Sequence, residues 1–424
     1  MHRRTFLFGA LGAAVASSFK SSRAAQSLGT IAYAQIDGLW VRALPDGEPT
    51  KLVGGPVSFP KFSPSGRWIS YQQNGVSYVT SIDGNEVARV GFWWSPVSDE
   101  LWTVNEDLQT LEAFGVGNHW SAPIATIRHA SFGPFSPDGA EMIFATTDID
   151  PDSGPSGTRL WRVELKDGAQ PALLKFTKED WSPFTWTRDG KSIVYWRQEE
   201  FSASEASDGN ELFIMPVSGG EPRSLKVMTL LDSGFAVLSP KRNELAVTAG
   251  DGRYEWTNKR TAVIDLDSLA IRYLTSEGTV GLSPVWSPDG NRIAYSAGPA
   301  PAPEEESDLE CGCDEASQKR LNELLSKRRI WVSDRTGAEA PRQLTADGPT
   351  HDEAPLWSAD GRHILFTRSD AAFNNIHTLS SDQTALWLMD QDGAHPIQVA
   401  GPLSVEEEAY DDRRSAFDWF RGRP

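Results

Sequence analysis

Three stretches of the chain carry side chains that could do chemistry. In "TDIDPDSGPSGTR", residues 147–159, Asp148, Asp150 and Asp152 stand at alternate positions. Carboxylates so spaced can converge on a calcium ion in a turning loop. Gly154 falls one place late for an EF-hand and no Glu holds the twelfth position, so a plain polar loop is the alternative. Cys311-Gly312-Cys313 separates two thiols by a single glycine. Bridging them would close a small strained ring of the labile, redox-active kind. A local or intermolecular disulfide, free thiols, and a redox or metal role all stay open, although Glu310 and Asp314 are harder donors than a thiolate metal site prefers. His351-Asp352-Glu353 and His129 occupy matching places in two repeats and could face a shared axis; His119, His363, His377 and His395 are scattered. Two histidines are too few to hold a metal. No Gly-x-Ser-x-Gly elbow, phosphate-cradling glycine loop or zinc-type Cys/His spacing occurs.

The elements that must position these residues are repeats. "KFSPSGRWISY", "WWSPVSDELWTV", "PFSPDGAEMIFAT", "TWTRDGKSIVYW", "VLSPKRNELAVT", "PVWSPDGNRIAYSAG" and "LWSADGRHILFTR" are imperfect copies of one unit. In each, an aromatic or Leu residue ends a strand and a tight turn follows. Pro presets the turn's φ, Asp can bond local backbone, and Gly accepts positive φ. The next strand alternates apolar and polar residues, and a second turn separates two further strands. These second turns fall at Asp46-Gly47, Asp83-Gly84, Gly115 to Gly117, Asp167-Gly168, Gly219-Gly220, Asp267-Ser268, Thr336-Gly337 and Asp392-Gly393. One unit is therefore four antiparallel strands, a to d.

There are eight second turns but only seven first turns. The chain opens on "GTIAYAQIDGLWVRALPDGEPTKLV", which supplies strands b, c and d, and closes on "RRSAFDWFRGRP", which supplies a strand a. Joining them completes an eighth unit. A lone four-stranded sheet cannot bury both faces, whereas radial stacking can. The expected fold is all-β: a single β-propeller over residues 30–420, with eight four-stranded blades (seven as the alternative) and a first blade closed by both termini. Residues 299–329, "PAPAPEEESDLECGCDEASQKRLNELLSKRR", lengthen the b–c connection of the seventh blade with an acidic cluster and a helix bearing Leu321, Leu324 and Leu325.

The wording "[WF]-S-P-D-G-x-x-I-A-Y/F", followed by "ALWLMDQDGAHPIQVA" or "RIWVSDRTGAEAPRQLT", resembles the TolB-like β-propeller repeat across nearly the whole chain. The resemblance implies a fold rather than an activity. The small α/β domain that precedes the propeller in TolB itself is absent, so that protein's envelope role is not carried over. The α/β-hydrolase domain of prolyl-oligopeptidase-type enzymes is absent too.

Composition narrows the partners. The net charge is −18, from 40 Lys+Arg against 58 Asp+Glu, and an acidic surface repels nucleic acid and anionic lipid. With two cysteines in 424 residues, buried area rather than disulfides must hold the fold. At the N-terminus, Arg3-Arg4-Thr5-Phe6-Leu7 resembles a twin-arginine export signal, followed by an apolar run too short to span a bilayer. Residues 1–25 are then a signal peptide, removed to leave a periplasmic or secreted protein with no membrane span. A closed ring exposes no long edge strand, so a monomer is expected. The expected role is a non-enzymatic binding or scaffold protein for a protein, peptide or glycan, without a cofactor unless calcium binds. The alternative is a hydrolase or lyase with its active site in the axial funnel.

Overall fold

The computed structural model describes residues 27–422, apart from 86, 90–92, 106–109, 117–120, 127–129, 132, 167–168, 203–206, 232, 307–308, 310–313, 371, 376–377, 381–383 and 405–412. Arg3 and Arg4 of the expected export signal, the Cys311/Cys313 pair, and His119, His129 and His377 lie outside the described residues.

The repeat units become eight four-stranded antiparallel sheets. Taking strands in the order a to d, sheet 1 is Phe417–Phe420, Thr30–Gln35, Gly38–Ala43 and Thr50–Gly54. Sheet 2 is Ser58–Phe62, Trp68–Gln73, Val76–Ser81 and Val87–Arg89. Sheet 3 is Trp93–Trp94, Glu100–Asn105, Thr110–Gly115 and Ser121–Thr126. Sheet 4 is Ala130–Ser131, Glu141–Asp150, Gly154–Glu164 and Ala172–Thr177. Sheet 5 is Asp180–Trp186, Ser192–Gln198, Asn210–Pro216 and Arg223–Thr229. Sheet 6 is Ala236–Leu238, Glu244–Ala249, Arg260–Asp265 and Ile271–Tyr273. Sheet 7 is Thr279–Trp286, Arg292–Pro299, Arg329–Asp334 and Arg342–Gln343. Sheet 8 is His351–Trp357, His363–Ser369, Ala385–Asp390 and Ile397–Ala400. In sheet 1 the C-terminal strand pairs with the N-terminal one, Thr30 opposite Phe420 and Tyr33 opposite Phe417.

The a–b turn shows why its residue types recur. Ser287 Oγ donates to Asp289 Oδ1 at 2.5 Å, the Asn291 amide donates to the same oxygen at 3.1 Å, and the Arg292 amide donates to Ser287 Oγ at 2.9 Å. The same lattice forms at Ser136/Asp138, Thr187/Asp189 and Ser358/Asp360. Gly290 closes the turn at φ +67°, a conformation a branched residue resists.

Strand a carries a second recurrent device. In sheets 2, 7 and 8 its ladder slips around Phe59-Pro60, Ser283-Pro284 and Ala354-Pro355, where the residue before proline takes φ of 49–52°. Proline lacks the donor a regular ladder needs, and a bulge accommodates it.

Adjacent sheets share apolar layers. Ile143 and Leu160 of sheet 4 meet Ile193 and Tyr195 of sheet 5, and Leu212 and Ile214 meet Leu245 and Ile264 of sheet 6. Val263 and Ala246 meet Ile293 and Tyr295 of sheet 7, and Ile330 and Val332 meet Ile364 and Phe366 of sheet 8. Leu365 and Leu388 of sheet 8 then meet Ile31, Phe417 and Trp419 of sheet 1, which in turn packs on Ile69 and Tyr71 of sheet 2. Indole donors add tethers between strands a. Trp94 Nε1 donates to Lys61 O at 3.1 Å, Trp186 to Pro134 O at 2.9 Å and Trp286 to Val237 O at 2.8 Å. Each acceptor stands two residues before the turn serine of the preceding sheet. Trp186→Phe keeps an aromatic side chain but removes the indole N–H and its five-membered ring from a buried site, so the urea midpoint should fall by an amount worth at least about 1 kcal/mol at unchanged slope. An unchanged midpoint would show that the tether adds nothing.

Candidate functional site

The two ends of the sheets differ in construction. The a–b end carries the tight turns described above. The b–c end carries the long connections: 199–209 in sheet 5, 250–259 in sheet 6, 300–328 in sheet 7 and 370–384 in sheet 8. Insertions gathered on one side of a repeat array are where binding is usually built.

On that side a cleft of ≈ 520 Å³ opens at the end of sheet 5, walled by Asp251 and Gly252 of sheet 6. Arg197, Glu211 and Met228 of its lining belong to a cross-strand row in which they and Trp181 stand opposite one another on strands b, c, d and a. Side chains two residues apart share a face, so Arg197 stacks beside Tyr195 and Phe213. Its guanidinium lies 4.1 Å from the Phe213 ring centre, and that ring continues a stack through Tyr195 to Trp181. The Arg197 Nη atoms stand 3.8 Å from Glu179 and Glu211 and 4.0 Å from Glu199, beyond hydrogen-bond reach, and its buried Nε has no hydrogen-bond partner among the described residues. Asp208 is clamped by Arg253 at 2.8 and 3.2 Å, and Asp251 accepts from Asn258. The wall closes tightly: the Gly209 amide donates to Asp251 O at 2.8 Å, and a Cβ on Gly209 would lie 2.3 Å from Gly250 O.

Behind the cleft lies a buried charge network. Lys259 is 1% exposed and donates to Gly252 O. Burial depresses its ammonium to about 8, against the attraction of Asp251, Asp208 and Glu255. Arg328, 3% exposed, reaches Glu255 at 2.9 Å and Glu353 at 2.5 Å, joining the b–c connections of sheets 6 and 7 to strand a of sheet 8. Burial alone would lower its pKa, but the two carboxylates outweigh that and raise it. Helix α1 (Glu315–Leu325), capped by Asp314, packs Leu321, Leu324 and Leu325 with Leu309 against Trp256. The sheet-7 insertion thus braces the same sheet-6 connection that walls the cleft.

The residues singled out from sequence are dispersed. Asp148 holds Arg159 through two bonds of 2.8 and 2.7 Å, while Asp150 accepts from the amides of Asp152 and Ser153. Among the described residues no group of three His, Cys, Asp or Glu is placed to hold a metal. His351 is buried with Nε2 3.7 Å from Glu353, whereas His363 and His395 sit near Asp390 at the other end. The Arg197 row escaped the sequence reading. Its trace there is only the polar pairs Arg197/Glu199 and Asn210/Glu211 at two strand ends.

No family profile matches the chain, and no curated protein does. Among solved structures it is similar to dihydro-heme d1 dehydrogenase NirN in complex with DHE, with a TM-score of 0.53 at 14% identity over 88% of this chain and 72% of that one. It is also similar to TolB from Acinetobacter baumannii (TM-score 0.37, 13% identity, 90% of this chain and 65% of that one, less than two thirds of its length). A third is oligogalacturonate lyase in complex with manganese (TM-score 0.41, 14% identity, 88% and 85%). At such identities the likeness is one of fold. The chain is nearly all-β and adopts a β-propeller fold.

Lys259 gives a pH test. Its folded pKa of about 8 lies below the ordinary lysine value of 10.5, so the unfolded state binds more protons between those values and stability rises with pH across that window. The shift corresponds to on the order of 3 kcal/mol. Lys259→Met should remove that component, so the stability difference between wild type and variant should change from pH 8 to 10.5. A pH-independent difference in denaturant titrations would contradict the assignment.

Proposed function

We propose that this chain is an exported β-propeller of eight blades, its first blade closed by both termini, and that it binds a protein, peptide or glycan of the bacterial envelope without catalysing a reaction. The eight four-stranded sheets and the pairing of Phe417–Phe420 with Thr30–Tyr33 support the wheel. The twin-arginine resemblance supports export to the periplasm or medium. Among the described residues no helix is long and apolar enough to cross a membrane. The observation that carries the binding reading is the unequal construction of the two faces. One consists of short, self-tied turns with an apolar cleft of ≈ 460 Å³ between sheets 2 and 3, and the other gathers the long connections around the charged cleft of sheet 5.

The immobilised mature protein should capture a stoichiometric partner from envelope extract and carry no transition metal by elemental analysis. Met228→Lys, in the cleft, should weaken capture, while Lys191→Glu, on an exposed a–b turn of the opposite face, should leave it unchanged. A stoichiometric transition metal with no partner would contradict the reading, as would equal capture by both variants.

A further inference from the structure

We propose that the cleft at the end of sheet 5 binds an uncharged saccharide, with sugar hydroxyls bridging Arg197 to the carboxylates around it. This rests on the binding reading above and narrows it to one class of ligand.

The argument begins with the donors of Arg197. A guanidinium has five N–H groups in a fixed plane, and stacking on Phe213 at 4.1 Å sets that plane. Glu179, Glu199 and Glu211 stand 3.8–4.0 Å from its Nη atoms, close enough to balance the charge and too far to take the hydrogen bonds. A hydroxyl oxygen about 2.8 Å from each side spans such a gap, accepting from the guanidinium and donating to the carboxylate. Water can do the same, so a polyol would replace water group for group. The far wall repeats the pattern: Asp208 and Asp251 are oriented by Arg253 and Asn258 and present acceptors. Met228, 40% exposed, offers an apolar surface to the C–H face of a sugar ring. The ≈ 520 Å³ volume falls inside the roughly 300–1,000 Å³ of small-molecule sites.

Charge selects within the class. Four lining carboxylates, Glu199, Asp208, Glu211 and Asp251, outnumber Arg197 and the Arg253 that clamps Asp208. Uronates, sulfated sugars and phosphates would be repelled. A lysine-bearing peptide would suit the carboxylates but would set an ammonium against a guanidinium whose donors remain unspent. A neutral polyol satisfies both signs at once.

The test is calorimetry and saturation-transfer NMR on the mature protein with maltotriose, cellotriose and N,N′,N″-triacetylchitotriose, using trigalacturonate and tetralysine as charged controls. At least one neutral trisaccharide should bind, with affinity unchanged between about 50 and about 500 mM salt. Arg197→Met, which keeps an apolar contact on Phe213 but removes the donors and the charge, should weaken binding roughly tenfold or more. Glu199→Ala, at a side chain 82% exposed, should weaken it severalfold without altering thermal unfolding, so a folding defect in the first variant would not obscure the result. Failure of all three trisaccharides, indifference to both substitutions, or salt-sensitive binding of tetralysine instead would overturn the inference. If no saccharide binds while Met228→Lys still weakens capture of the envelope partner, the saccharide inference falls and the binding reading survives.

Discussion

A four-stranded sheet has two faces to bury and one short chain with which to do it. The sheets here meet that constraint by leaning on their neighbours, and the C-terminal strand Phe417–Phe420 pairs with Thr30–Tyr33 in one sheet. Ile31 opposite Trp419 and Tyr33 opposite Phe417 supply that junction. Around it the C-terminal strand holds its neighbours as well. Asp418 Oδ2 accepts from the Phe62 amide of sheet 2 at 2.8 Å, Arg421 donates to Trp357 O of sheet 8 at 2.8 Å, and Trp419 Nε1 donates to Leu28 O at 2.9 Å. Nearly full exclusion of water from Phe417 and Trp419 makes the junction part of the core rather than a surface contact.

Once the scaffold is carried by short, self-tied turns on one side, the other side can lengthen without cost to the repeat. The connections there are not loose. Arg328 ties two of them to strand a of sheet 8 through buried ion pairs, and α1 lays its leucines on Trp256. Removing one partner of such a buried pair leaves an uncompensated charge and is typically worth several kcal/mol. The cleft is therefore held by a wall fixed from behind, which is the condition for side chains such as Arg197 to keep donors that no described residue takes.

Local chemistry was legible in the sequence, and long-range pairing was not. The a–b turns could be read because Ser, Pro, Asp and Gly each answer a particular backbone need within five residues. The two chain ends could be matched because one lacked a strand a and the other supplied one. The proline bulges in strand a were written in Phe59-Pro60, Ser283-Pro284 and Ala354-Pro355, but their effect depends on a ladder that only the partner strand defines. Asp148 looked like part of an acidic triplet because its partner, Arg159, sits across a hairpin. Arg328 and Glu255, or Arg197 and Glu211, carry no signal of their pairing in the string. Their meeting depends on strand register and on which connections fold toward one another.

The central claim is that the chain closes on itself through one shared sheet. Hydrogen exchange read by mass spectrometry tests it most directly. Amides of Phe417–Phe420 should be protected to the same degree as those of Thr30–Gln35, and both segments should exchange together as denaturant is raised. Exchange of the C-terminal strand at the rate of a free tail, while Thr30–Gln35 stays protected, would contradict the account.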